Sequence, residues 1–170
     1  MRCTIFSITL TLLFTCSSGV HAMAFLDTFK IYVFSEMNGT VLDNGKPVEG
    51  AILKRRGDHY NDKVYEDTTS TDKEGKFHFA AISTWSLRPL MWETVIKQDI
   101  MIYHDGKEHI GWRAFKQNTH QRGELVDKED KNARPINCVF HLDQDDSKKQ
   151  KIELSEYSYR SIRGLCEIAE

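Results

Sequence analysis

Metal-ligating and acid–base side chains crowd one short stretch of this sequence, His104-Asp105-Gly106-Lys107-Glu108-His109. A zinc or related site needs three or four ligands converging on one point. Two histidines flanking a tight turn, with no third ligand brought to them by the spacing, predict a solvated turn and no metal. His59 lies between Asp58 and Tyr60 in a polar interval, and His78 alternates with Phe77 and Phe79. Both read as solvated or hydrogen-bonded structural histidines. No Ser/His/Asp set, nucleophile elbow or phosphate-binding loop occurs. The sequence predicts no catalytic residue, no cofactor and no enzyme.

The cysteines are the other reactive side chains. Cys3 and Cys16 belong to a leading segment, leaving Cys138 and Cys166 in the body of the chain. In an exported domain two cysteines invite one disulfide. It would close a loop of about 29 residues, contribute about 3.5 kcal/mol in the chain-entropy picture, and tie the C-terminal tail to the body. A metal site or a free nucleophile is the alternative, and no CxxC pattern supports either. His141 lies an odd number of positions from Cys138, so a strand would put the two on opposite faces.

The leading segment carries its own message. Residues 1–22 combine Arg2, an apolar run from Ile5 to Phe14 and a small-residue region ending Val20-His21-Ala22. That is the pattern of a cleaved secretory signal. The apolar run of about ten residues is half of what a spanning helix needs. A lipid anchor at Cys16 would follow Leu13-Phe14-Thr15, where such sites favour small residues. Residues 23–170 are then one soluble domain, with no further membrane insertion expected. The formal charge of −2, from 23 basic and 25 acidic side chains, argues against a nucleic-acid ligand, which calls for a clustered basic face. Lys54-Arg55-Arg56 and Lys148-Lys149-Gln150-Lys151 read as solvated surface in or beside polar loops.

Binding chemistry is carried by aromatics and arginines, which concentrate energy at protein interfaces. Trp85, Trp92, Tyr103, Trp112 and Phe115 form the main aromatic set, and core packing accounts for most of it. Trp85 and Arg88, in an irregular connection, are the first candidates for a partner surface. Tyr157, Tyr159 and Arg160 near the tail come next.

Strands must position all of these. Stretches 28–34, 37–42, 48–54, 64–71, 76–82, 94–103, 109–115, 136–142 and 152–157 are rich in β-branched and aromatic residues and short of proline. Asp43-Asn44-Gly45-Lys46 and Asp72-Lys73-Glu74-Gly75 predict tight hairpins, the second pairing 64–71 with 76–82. Asp105-Gly106 predicts a third. Phe77, Phe79 and Ala81 should face inward, with His78 and Ala80 outward. Residues 84–89 read as a connection and 116–134 as a long polar one with a loop or short helix near 123–129. Seven or eight short strands with turns every ten or so residues predict an antiparallel, all-β sandwich with a disulfide-tethered tail. Its distinguishing features are expected in a 58–67 loop and in 84–135.

Within 39–82 the residues Gly39, Val41, Gly45, Pro47, Val48, Gly50, Ala51, Thr71, Asp72, Gly75 and Phe77 fall on a recurrent pattern. In this the chain resembles the carboxypeptidase regulatory-like, or transthyretin-like (prealbumin-like), β-sandwich domains, departing at Leu53 where the pattern has valine. The resemblance covers about a quarter of the chain. It implies a prealbumin-like sandwich, a bacterial periplasmic or outer-membrane setting, and an accessory role in folding, docking or binding. The related hydroxyisourate hydrolases end in Tyr-Arg-Gly-Ser. Here Tyr159-Arg160-Ser161 lacks the glycine and is followed by nine more residues, so that activity is not expected.

Small size, an export signal, a stapled sandwich, charged loops and no catalytic set converge on protein binding in the periplasm. Its most concrete form is an immunity protein that neutralises a periplasm-acting antibacterial toxin, such as a type VI secretion effector. The alternative is a cell-envelope ligand- or glycan-binding, or structural, module.

Overall fold

The computed structural model describes residues 30–59, 63–87, 93–125, 134–145, 147, 149–155 and 158–169. The segment 1–22 that reads as an export signal lies outside the described residues, as do Arg88, Trp92 and Tyr157.

Among the described residues every regular element is a strand. They are β1 (Lys30–Phe34), β2 (Met37–Asp43), β3 (Lys46–Pro47), β4 (Ile52–His59), β5 (Lys63–Ser70), β6 (Lys76–Phe79), β7 (Ile82–Trp85), β8 (Ile96–His104), β9 (Lys107–Lys116), β10 (Ile136–His141), β11 (Lys149–Ser155), β12 (Ser158–Arg163) and β13 (Cys166–Ala169). The all-β expectation holds, with more strands than expected. A six-stranded sheet runs β11-β12-β9-β8-β4-β5, a five-stranded sheet runs β13-β10-β2-β3 with β6 also on β2, and β1 pairs β7. All pairings are antiparallel except β2 with β10, which run parallel from Met37↔Ile136 to Leu42↔His141.

Alternation along the strands builds the core. On β4, Leu53, Arg55, Gly57 and His59 are buried while Ile52, Lys54 and Arg56 are exposed, the period-two pattern of a sheet with one covered face. The covered face meets the five-stranded sheet in one cluster that includes Met37, Leu53, Ile100, Ile102, Trp112 and Phe140. Phe77 stacks on Phe140 at 5.3 Å between ring centres and meets Phe79 edge-on at 5.8 Å. Gly39 makes room for them. A Cβ there would lie 2.6 Å from the Phe77 ring and 2.0 Å from the Cys138 carbonyl oxygen.

Two of the three turns form hairpins as expected. Asn44 and Gly45 (φ 49° and 74°) close β2–β3, and Asp105 and Gly106 (φ 48° and 72°) close β8–β9, both with the consecutive positive φ of a type I′ turn. Asp72–Gly75 turns the chain but joins no hairpin. Its Asp72 carboxylate accepts the Glu74 and Lys76 amides at 3.0 and 2.8 Å, yet β5 stays on β4 over eight positions while β6 pairs with β2 in the other sheet. A turn signal fixes a change of direction and leaves the partner to packing.

Further expectations are corrected by the ladders. Ala81 is exposed, because β6 ends at Phe79. Thr84 and Trp85 belong to β7, paired to β1 through Lys30↔Trp85 and Ile31↔Thr84. The 58–67 interval is mainly the arms of the β4–β5 hairpin, and His59 is a buried strand end. Residues 121–125 form turns, in line with the loop expected there, and 126–133 lie outside the described residues. The tail holds two further strands. Cys138 and Cys166 are disulfide-bonded with Cα atoms 5.5 Å apart, fastening β13 to β10.

Candidate interaction face

The buried polar groups come first, because they show which charges belong to the scaffold. Where β1 hands over to β2 the backbone at Ser35 leaves the ladders, and buried backbone groups must find partners. The Ser35 amide donates to Glu124 Oε1 at 2.9 Å, its hydroxyl donates to Glu124 Oε2 at 2.6 Å, and its carbonyl accepts from Arg55 Nη1 at 3.3 Å. Gln98 Nε2 reaches both Glu124 Oε1 (2.8 Å) and the Val33 carbonyl (2.7 Å). Lys116 Nζ lies 3.5 Å from Glu124 and donates to the Tyr32 carbonyl at 2.8 Å. Burial alone pushes the Glu124 carboxyl up. The Lys116 charge and the hydrogen bonds from Ser35 and Gln98 together outweigh burial and hold it below its ordinary value, ionised at neutral pH.

Arg55 is the second scaffold charge. It forks onto Asp67 through Nε (2.9 Å) and Nη2 (2.6 Å), donates to the Ala80 carbonyl at 2.6 Å, and lies 4.5 and 5.0 Å over the Phe79 and Phe34 rings. The Lys54-Arg55-Arg56 run is therefore not a solvated loop. It sits mid-strand, and alternation buries Arg55 while exposing its neighbours.

The outer face of the six-stranded sheet differs in kind. Its cross-strand register sets Glu66 opposite Arg56, Arg56 opposite Asp99, Asp99 opposite Arg113, and Arg113 opposite Arg163. Arg113 Nε bonds Asp99 Oδ1, and Arg56 lies 3.8 Å from Glu66. The next row sets Lys97 opposite Phe115, which is 58% exposed. On the other side Lys54 Nζ lies 5.1 Å over the Tyr103 ring. Partial burial, then the adjacent Glu108 carboxylate, raises the Tyr103 hydroxyl above its usual value. An open depression of about 460 Å³ follows these rows, with Lys54, Arg56, Glu66, Asp99, Met101 and Arg113 among its lining.

The residues singled out from sequence fare unevenly. Trp85 is 54% exposed on β7, away from this sheet face, and Leu87 beside it is 61% exposed. Trp112 is fully buried, its indole N–H 3.4 Å from Gln98 Oε1. Arg88 and Tyr157 lie outside the described residues. Tyr159 and Arg160 sit on β12 opposite Glu153 and Ile152, and their side chains are outside the described ones. His104 and His109 share one face of the β8–β9 hairpin, and among the described residues no three His, Cys, Asp or Glu side chains are grouped to hold a metal. Lys97, Arg113 and Arg163 went unpredicted, since each is ordinary in sequence and acquires neighbours only through pairing.

Among the described residues no helix is long and apolar enough to cross a membrane. A comparison with curated proteins finds no match. The family model of DUF6795, a domain of unknown function, matches residues 37–139, from the first residue of β2 into β10. That stretch is more than half of the chain and contains β2 to β9 entire, so the protein belongs to the DUF6795 family.

Proposed function

We propose that this protein is a non-enzymatic protein-binding module, exported to the periplasm, and most concretely an immunity protein that neutralises a periplasm-acting antibacterial toxin such as a type VI secretion effector. The observation that carries the reading is the outer face of the six-stranded sheet, which no described strand covers and where charged and apolar side chains stand in cross-strand rows. Such a surface gives electrostatic complementarity and rapid association without any catalytic group. The Cys138–Cys166 bond suits an oxidising compartment. Trp85 adds an exposed aromatic on a separate ribbon, and Arg88, Tyr157, Tyr159 and Arg160 extend the proposed contact set.

The deciding experiment is a gene deletion followed by exposure to the toxin encoded beside it, delivered to the periplasm. Sensitivity rescued by the exported wild-type chain supports immunity, and a deletion strain no more sensitive than its parent sinks it. The second reading, an envelope glycan-binding or structural module, draws on Trp85, which is 54% exposed. It predicts retention on immobilised peptidoglycan or polysaccharide that Trp85→Ala abolishes.

A further inference from the structure

Resting on the protein-binding reading above, we infer that the β8–β9–β12 part of the outer sheet face docks an acidic protein surface carrying an apolar socket. Phe115 would enter the socket, and carboxylates of the partner would meet Lys97, Arg113 and Arg163.

The charges along the sheet carry the argument. From the β5 side the row alternates, with Glu66, Arg56, Asp99 and Arg113 each facing an opposite sign. It then breaks, because Arg163 stands directly opposite Arg113. Like charges opposite one another across a ladder repel, and Asp99 is already engaged by Arg113. Two residues along β9 on the same face, Phe115 projects into solvent beside Lys97, a further exposed cation. Among the described residues the patch thus holds three cations against two carboxylates, Asp99 and the Asp58 that stands opposite Lys97, on a chain whose formal net charge is −2. Its local sign runs against that of the whole protein. An exposed aromatic ringed by arginine and lysine is the composition of an interface anchor, in which the apolar group supplies burial and the rim selects partner charge. On the β5 side Glu66 pairs with Arg56, and Lys54 stands over the Tyr103 ring.

The test is selection of a random displayed peptide library on the complete, disulfide-bonded protein at low salt, followed by binding measurements on the enriched peptides. Enriched sequences should pair several Asp or Glu with Phe, Leu or Trp, and should lose affinity steeply as salt rises. Phe115→Ser and Lys97→Glu, both at exposed positions, should each weaken binding about tenfold or more. Arg163→Glu, checked for native circular dichroism, should be rescued by peptides with Lys in place of Glu. Peptides that bind but ignore Phe115→Ser and Lys97→Glu, or that are basic or neutral, overturn the inference and leave the protein-binding reading standing. A selection that enriches nothing overturns it as well, while the toxin-challenge experiment continues to judge immunity by itself.

Discussion

Two charged assemblies occupy opposite faces of the same strands and do different things. On β4 they are neighbours, Arg55 inside and Arg56 outside. On β8 Gln98 faces in and Asp99 out, and β9 contributes Lys116 to one and Arg113 to the other. The inner set is hydrogen-bonded to completion around Ser35 and Glu124, because a buried charge lacking partners costs several kcal/mol. The outer set pairs Arg113 with Asp99 and leaves Arg163 opposite Arg113, a positive charge that a partner can use. Position relative to the core, not residue type, separates scaffold charge from recognition charge.

The comparison breaks most decisively at Glu124. Replacing it by Ala leaves Lys116, which is fully buried, facing a lost carboxylate, and the cost expected is about 3–5 kcal/mol. Urea denaturation followed by fluorescence measures it, and a loss below about 1 kcal/mol would deny the network its structural role. The same carboxyl sets a pH dependence. Its folded pKa lies below the unfolded value, so its contribution is fully present above the ordinary glutamate value and fades as pH falls through the folded one. Wild-type stability should therefore decline on acidification below about pH 4, and Glu124→Gln should flatten that part of the profile from a lower plateau.

Next in size is the disulfide. Its loss in a Cys138→Ala/Cys166→Ala variant should cost about 2–4 kcal/mol, since it links residues 28 apart in sequence and fastens edge strand β13. Differential scanning calorimetry with and without reductant gives the comparison, and an unchanged melting temperature would contradict it. Gly57→Ala follows. A Cβ there would fall 2.4 Å from Val33 Cγ1 and 3.3 Å from the Phe34 ring, where β1 crosses β4. Overpacking of that kind costs about 1–3 kcal/mol, and hydrogen exchange should show β1 amides losing protection first.

How much of this was legible in the sequence follows from the same strands. Period-two alternation, the Asn44-Gly45 and Asp105-Gly106 turns and the cysteine pair were readable, because each is a local signal with one physical cause. The destination of β5 and β6 was not. Asp72–Gly75 specifies a turn, and only the competition for β2 and β4 decides that its arms part. The outer face was hidden for a subtler reason. Counting back from the Asp105-Gly106 turn pairs Met101 with Ile110, and continuing that register would set Asp99 opposite Trp112. A bulge at Gly111 shifts the count by one, so Asp99 meets Arg113 and Lys97 meets Phe115. Glycine inside a strand was the available clue. Glu124 gave none, lying in a polar stretch far in sequence from Ser35 and Gln98.

The smallest effect is the sharpest check on the contrast. Arg56 and Glu66 form an ion pair of 3.8 Å, with side chains 54% and 66% exposed. Surface pairs of this kind contribute about 0–1 kcal/mol, and salt screens them further. Arg56→Ala should therefore change stability by less than about 0.5 kcal/mol, whereas the adjacent Arg55→Ala would strip a buried fork from Asp67 and the hydrogen bonds to the Ser35 and Ala80 carbonyls. Measuring both by urea denaturation holds strand and residue type constant and varies only the face. Comparable losses would mean that the outer row is scaffold like the inner set. That result would also weaken the case for reading Arg113 and Arg163 as recognition charge, since the outer row would then be spent on holding its own sheet together.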